Sequence, residues 1–120
     1  MTMRRLLLAA FGLALLPAMA QARNCAEVLA LGVPLQEAVA GGSSSSQTFV
    51  WRVTARNLTP TRQMMQIWVI GIPNLGNPVN AATRHHLPPF GQMMITLGQT
   101  SGAQPTVDQM RAAIRTTCEG

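Results

Sequence analysis

The sequence predicts a mainly β domain with a helix at each end: a small antiparallel sheet, or an open immunoglobulin-like sandwich of a few strands. A disulfide is expected to join the N- and C-terminal helices. Three observations predict this. The segments Gln47 to Asn57 and Gln92 to Gly98 alternate in the way of half-buried strands. Asn24-Cys25-Ala26-Glu27 and Thr106-Val107-Asp108-Gln109 both have the spacing of helix capping boxes. The two cysteines, Cys25 and Cys118, stand at opposite ends of the chain that remains once a leader is removed.

The leader is residues 1–20. Arg4 and Arg5 make a positive start, Leu6 to Leu16 is apolar apart from Gly12, Pro17 breaks the run, and Ala18-Met19-Ala20 is a small-x-small cleavage site. Cleavage is expected after Ala20, with Ala22 as the second choice. The apolar run is about half the ~20 residues that a bilayer span needs, so no transmembrane segment is expected after cleavage. Residues 21–120 then form a single small exported domain, periplasmic or secreted in a bacterium. In such a compartment two cysteines without a CxxC spacing pair as one disulfide. Closing nearly the whole domain, Cys25–Cys118 is expected to contribute about 4–5 kcal/mol by the chain-entropy argument.

Charge narrows the partners. The chain carries +5 at pH 7, and all of its basic residues are arginines. Removing Arg4 and Arg5 leaves seven arginines against Glu27, Glu37, Asp108 and Glu119, a net +3. That is too dilute for a polybasic patch, and nucleic acid is not an expected partner outside the cytoplasm. An envelope protein or an anionic envelope component is.

From the N-terminus, Asn24 and Glu27 cap a helix through Val28, Leu29 and Leu31, which Gly32 and Pro34 end. Leu35 to Ala40 reads equally as helix or strand. Gly41 to Ser46 is a Gly/Ser loop. In the strand 47–57, Phe49, Trp51, Val53 and Ala55 face one way and Thr48, Val50, Arg52, Thr54 and Arg56 the other. A turn at Asn57-Leu58-Thr59-Pro60-Thr61-Arg62 leads into the strand 63–72, apolar on both faces and therefore central. These two strands are expected to pair antiparallel. Residues 73–82, rich in Pro, Gly and Asn, are an irregular connection. Arg84 to Leu87 is a short strand, Pro88-Pro89-Phe90-Gly91 a turn, and residues 92–98 a strand with Met93, Ile95 and Leu97 on one face. After a loop, Thr106 caps a helix whose stripe is Val107, Met110, Ile114, Thr117 and Cys118, with Arg111 and Arg115 on its outer side.

Chemistry is scarce. There is no Tyr and no Lys, Ser43 to Ser46 have no nucleophile-elbow context, and nothing pairs either histidine with a nucleophile and an orienting acid. The protein is expected not to be an enzyme. Its expected role is binding or structural, through a candidate partner surface of Arg52, Arg56, Arg62 and Trp68. Trp68 shares a face with Met64, Gln66 and Ile70: covered by the terminal helices it is core, uncovered it centres an apolar patch. The alternative is a periplasmic Cu(I)-binding accessory protein using His85, His86, Met93 and Met94, since imidazole and thioether suit a soft ion. Against this, neighbours on a strand point to opposite faces, and the His-x-Met motif of small periplasmic copper chaperones is absent.

Overall fold

The computed structural model describes residues 25–39 and 47–119. The expected leader with its cleavage sites, the expected Asn24 cap and the expected Gly/Ser loop lie outside the described residues.

The described chain is mainly β, in two antiparallel sheets with one α-helix. Its elements are β1 (Leu29–Leu31), β2 (Leu35–Ala38), β3 (Thr48–Asn57), β4 (Gln63–Val69), β5 (Leu75–Gly76), β6 (His85–Leu87), β7 (Gln92–Ser101), α1 (Val107–Ala113) and β8 (Ile114–Glu119). The larger sheet has the order β1-β3-β7-β5, and β2 also pairs with β3. The smaller sheet is β6-β4-β8.

Both sheets turn their apolar faces to one buried cluster. Trp51, Val53, Ala55, Ile95 and Leu97 come from the larger sheet, and Met65, Ile67, Leu87 and Cys118 from the smaller. The alternation read from residues 47–57 is thus the division between core and solvent in β3. Trp51 is fully buried, and its indole N–H donates to Thr100 Oγ1 at 2.8 Å. That bond satisfies the one polar atom that would otherwise penalise burying so large a side chain.

Three expectations are corrected. The N-terminal capping box does not open an α-helix: Cys25–Glu27 is a single 3₁₀ turn, and the chain then enters β1. The edge of β3 recruits it, with Leu29 opposite Asn57 and Leu31 opposite Ala55. β3 and β4 are not a pair but belong to different sheets. Asn57, fully buried, is the reason the chain leaves one sheet for the other. Its side-chain amide donates to the carbonyls of Thr61, Leu87 and Pro88, and its Oδ1 accepts from the backbone and hydroxyl of Thr59. The turn 57–62 is therefore tied to the end of β6. Finally, the C-terminal helix forms with the expected capping box at Thr106 and Gln109 but stops at Ala113. Ile114 is already extended, and residues 114–119 run as β8 along β4.

The Cys25–Cys118 disulfide is present, with Cα atoms 5.1 Å apart across 93 residues of sequence. It joins a 3₁₀ turn to an edge strand instead of helix to helix. Leu35–Ala38, open to either reading, is strand, and the irregular stretch 73–82 contributes the two-residue β5.

β7 carries a bulge. Trp51 lies opposite Gly98 but Arg52 opposite Thr96, so Leu97 is the extra residue. Gly98 has φ +151, and a Cβ there would lie 2.7 Å from Leu75 Cδ1, so only glycine fits.

Candidate functional site

Because each sheet buries one face, each leaves another outward, and the candidate residues divide between these two outer faces. On the larger sheet, Val50, Arg52, Thr54 and Arg56 of β3 point away from the core. Glu37 of β2 lies diagonally across from Arg52, and its carboxylate takes the Arg52 guanidinium at 2.6 Å. The three-residue polar ridge of β3 is thus real, but its first cation is already neutralised, and Arg56 stands exposed at the far end.

Arg62 is not part of that ridge. It leads into β4 and borders a shallow groove with Met64, His86 and Glu119 on the outer face of the smaller sheet. The register sets this face out in rows. Met64 stands between His86 and Glu119, Gln66 beside Thr117, and Trp68 beside Arg115. Gln66 Oε1 accepts from the Thr117 hydroxyl at 3.4 Å. Beyond Trp68 the stripe continues to Ile70, which is 45% exposed. Trp68 is half-buried and no part of the core cluster. Of the terminal helices that the sequence offered as its cover, one is absent among the described residues and the other ends before β8.

Arg115 was read from the sequence as the solvent side of a helix. It is instead the second residue of β8. Its Nη1 donates to the carbonyls of Ala112 and Ile114 at 2.7 and 3.0 Å, which holds the guanidinium at the junction of α1 and β8. No carboxylate among the described residues pairs with it. From this junction opens a groove of about 850 Å³. Residues 70–74 form one wall, the loop 101–105 a second, and α1 a third through Gln109, Ala112 and Ala113. Sequence reasoning missed it, because its walls are loop residues with no periodicity. The run of β-branched Thr116 and Thr117 was the available hint that 114–119 is strand.

The four residues of the soft-metal reading do not gather. His85 and His86 point to opposite faces of the smaller sheet, and Met93 and Met94 belong to β7 of the larger. Met93 packs on the core, whereas Met94 is 56% exposed. Among the described residues, no group of three or more His, Cys, Asp or Glu is placed to hold a metal ion. His85 faces inward opposite Met65. Although the residue as a whole is only partly buried, its Nε2 is shielded from solvent and has no hydrogen-bond partner. Burial therefore lowers its pKa below the ordinary 6.5, since the imidazolium would lose its hydration there. No helix among the described residues is long and apolar enough to cross a membrane. Compared with known protein families, curated proteins and solved structures, the chain matches none of them.

Proposed function

We propose that this is a non-catalytic binding domain, exported to the bacterial envelope by its leader and held by one disulfide. Its partner is an envelope protein or an anionic envelope component, met through the outer face of the smaller sheet. One observation carries the reading: Trp68 stands half-exposed beside Arg115, in line with the exposed Ile70. An aromatic anchor next to a cation that no acid neutralises is the composition of a contact surface. On the outer face of the larger sheet Arg52 is spent on Glu37, and Arg56, exposed at the far end of β3, has no aromatic beside it in the register of β1 or β7. Two sheets over one core also support describing the domain as an open immunoglobulin-like sandwich.

The test is a chemical-shift map of the oxidised protein against soluble peptidoglycan fragments, lipid extract in bicelles, and solubilised envelope protein. Shifts concentrated on Met64, Trp68, Ile70 and Arg115 are expected. Shifts centred on Arg52 and Arg56 would move the surface to the other sheet, and none with any fraction would end the binding reading.

A second reading, Cu(I) binding, survives only with altered ligands. The register sets His86 beside Met64, with Glu119 on the far side of that methionine. Anaerobic Cu(I) titration against a chelator of known affinity tests it. Binding must weaken in His86→Ala and Met64→Leu and be indifferent to Met94→Leu.

A further inference from the structure

The groove beside Arg115 has a composition that the contact surface does not explain. Ile70, Ile72, Pro73, Pro105 and Ala112 give it an apolar floor and walls. Its polar side chains are almost all engaged. Asn74 Nδ2 donates to the carbonyls of Ser101 and Ala103, and Gln104 Nε2 to those of Thr100 and Gly102. Gln109 Oε1 accepts from the backbone N–H of Thr106 as part of the helix cap. Arg115 differs. Its Nη1 is held by two carbonyls, while the Nε–Nη2 edge bonds to no other described residue. An arginine edge with two parallel N–H groups matches a carboxylate, which it can take in bidentate fashion.

We propose that this groove binds a single-chain carboxylate amphiphile, a free fatty acid. The acyl chain lies along Ile70, Ile72, Pro73 and Pro105, and the carboxylate meets Arg115 at the mouth. A volume of about 850 Å³ is within the range of small-ligand sites and suits a linear chain with no second tail. Charge selects the head group: one guanidinium and no carboxylate among the lining residues favour one negative charge, while a phosphomonoester would bring nearly two. Arg115 does two things here. Its backbone bonds fix the junction of α1 and β8, so the guanidinium is positioned before the ligand arrives and little side-chain entropy remains to be lost. Trp68 does not line the groove but is the cross-strand neighbour of Arg115, so its fluorescence reports on the arginine at the mouth.

This assignment rests on the reading of the Trp68–Arg115 face as a binding surface, and the experiment separates the two. Oxidised protein is titrated with dodecanoate below its micelle concentration. Dodecanol and dodecyltrimethylammonium serve as neutral and cationic controls, and a short apolar peptide with a free C-terminus as the alternative occupant. Calorimetry and Trp68 fluorescence report binding; Trp51, buried in the core, is the constant background. Dodecanoate is expected to bind most tightly, and Arg115→Gln to weaken it roughly tenfold while leaving dodecanol unchanged. Ala112→Phe, which fills the groove from an exposed helix position, is expected to remove binding of both, with thermal unfolding showing the fold intact. Equal affinity for dodecanoate and dodecanol would overturn the carboxylate but keep the groove as an apolar site. Tighter binding of the peptide, or a protein dimer dispersed by Ala112→Phe, would replace the fatty acid with that occupant. Failure of every probe while the shift map still marks Trp68 would overturn the groove assignment alone.

Discussion

The two outer faces are built from the same alternating pattern and end up as different surfaces. On the larger sheet Arg52 finds Glu37 on the neighbouring strand, threonines fill the space around it, and β1 and β2 run along one edge. On the smaller sheet Arg115 has backbone carbonyls but no acid among the described residues, and the half-buried Trp68 stands opposite it on the neighbouring strand. The difference lies in the neighbours and not in the strand that carries each residue. The smaller sheet has three strands and is held at its β8 edge by the disulfide, a tie that the larger sheet lacks among its described strands.

Removing the disulfide gives the largest test of that contrast. Cys25→Ala with Cys118→Ala is expected to lower stability by about 4–5 kcal/mol in urea unfolding. Amide exchange should accelerate in β8 and β4 well before β3 and β7. Uniform acceleration over both sheets would mean that they unfold as one unit and that the contrast in anchoring is false.

Asn57→Ala comes next. The amide group satisfies three carbonyls of the connection between the sheets, two of them from residues 87 and 88. Leaving buried carbonyls without donors is expected to cost about 2–3 kcal/mol. Thr54→Ala on the outer face of the same strand should cost under about 0.5 kcal/mol. A comparable loss at both positions would remove Asn57 as the link.

Acid tests the inner side of the smaller sheet. Because the folded pKa of His85 is lowered, the folded state binds fewer protons than the unfolded one. Its contribution is fully present above the ordinary pKa of 6.5 and is lost as pH falls through the folded value. The slope of stability against pH below 6.5 should therefore flatten in His85→Gln, and an unchanged slope in that variant would remove His85 as its source.

The smallest effect belongs to the ion pair. Arg52 and Glu37 are both substantially exposed, with side-chain accessibilities of 35% and 57%, so solvent screens most of their attraction. A double-mutant cycle should return no more than about 0.5 kcal/mol, shrinking further in salt. Trp68→Ala should remove the binding-induced shifts. A coupling of several kcal/mol for Arg52–Glu37 would show that the larger sheet is pinned by charge.

Strands β3 and β7 were legible because each alternates, β4 because its short apolar run is bounded by turn residues, and Thr106 with Gln109 marked the start of α1 because a capping box is local. The stripe Val107, Met110, Ile114 and Thr117 misled over the helix end. Its spacing suits a helix, but the free edge of β4 pairs with residues 114–119 and converts its second half to strand. The same competition cost the N-terminal helix, whose residues 29–31 complete the edge of β3. Of the candidate surface residues, Arg52 and Arg56 lie on the outer face of the larger sheet, while Arg62 and Trp68 lie with the smaller one, a division that no local pattern marks.

By itself the sequence determined that β3, β4, β6 and β7 extend, which face of β3 and β7 is apolar, where the last helix begins, and that Cys25 and Cys118 pair. These follow from nearest neighbours along the chain and, for the cysteines, from elimination. Tertiary structure decided which strand lies beside which, hence that Arg52 is neutralised and Arg115 is not, that Trp68 stands opposite Arg115, and that α1 and two loop segments enclose a groove. Those outcomes depend on hydrogen-bonding edges supplied from far along the chain, and no local pattern states which edge a segment will meet.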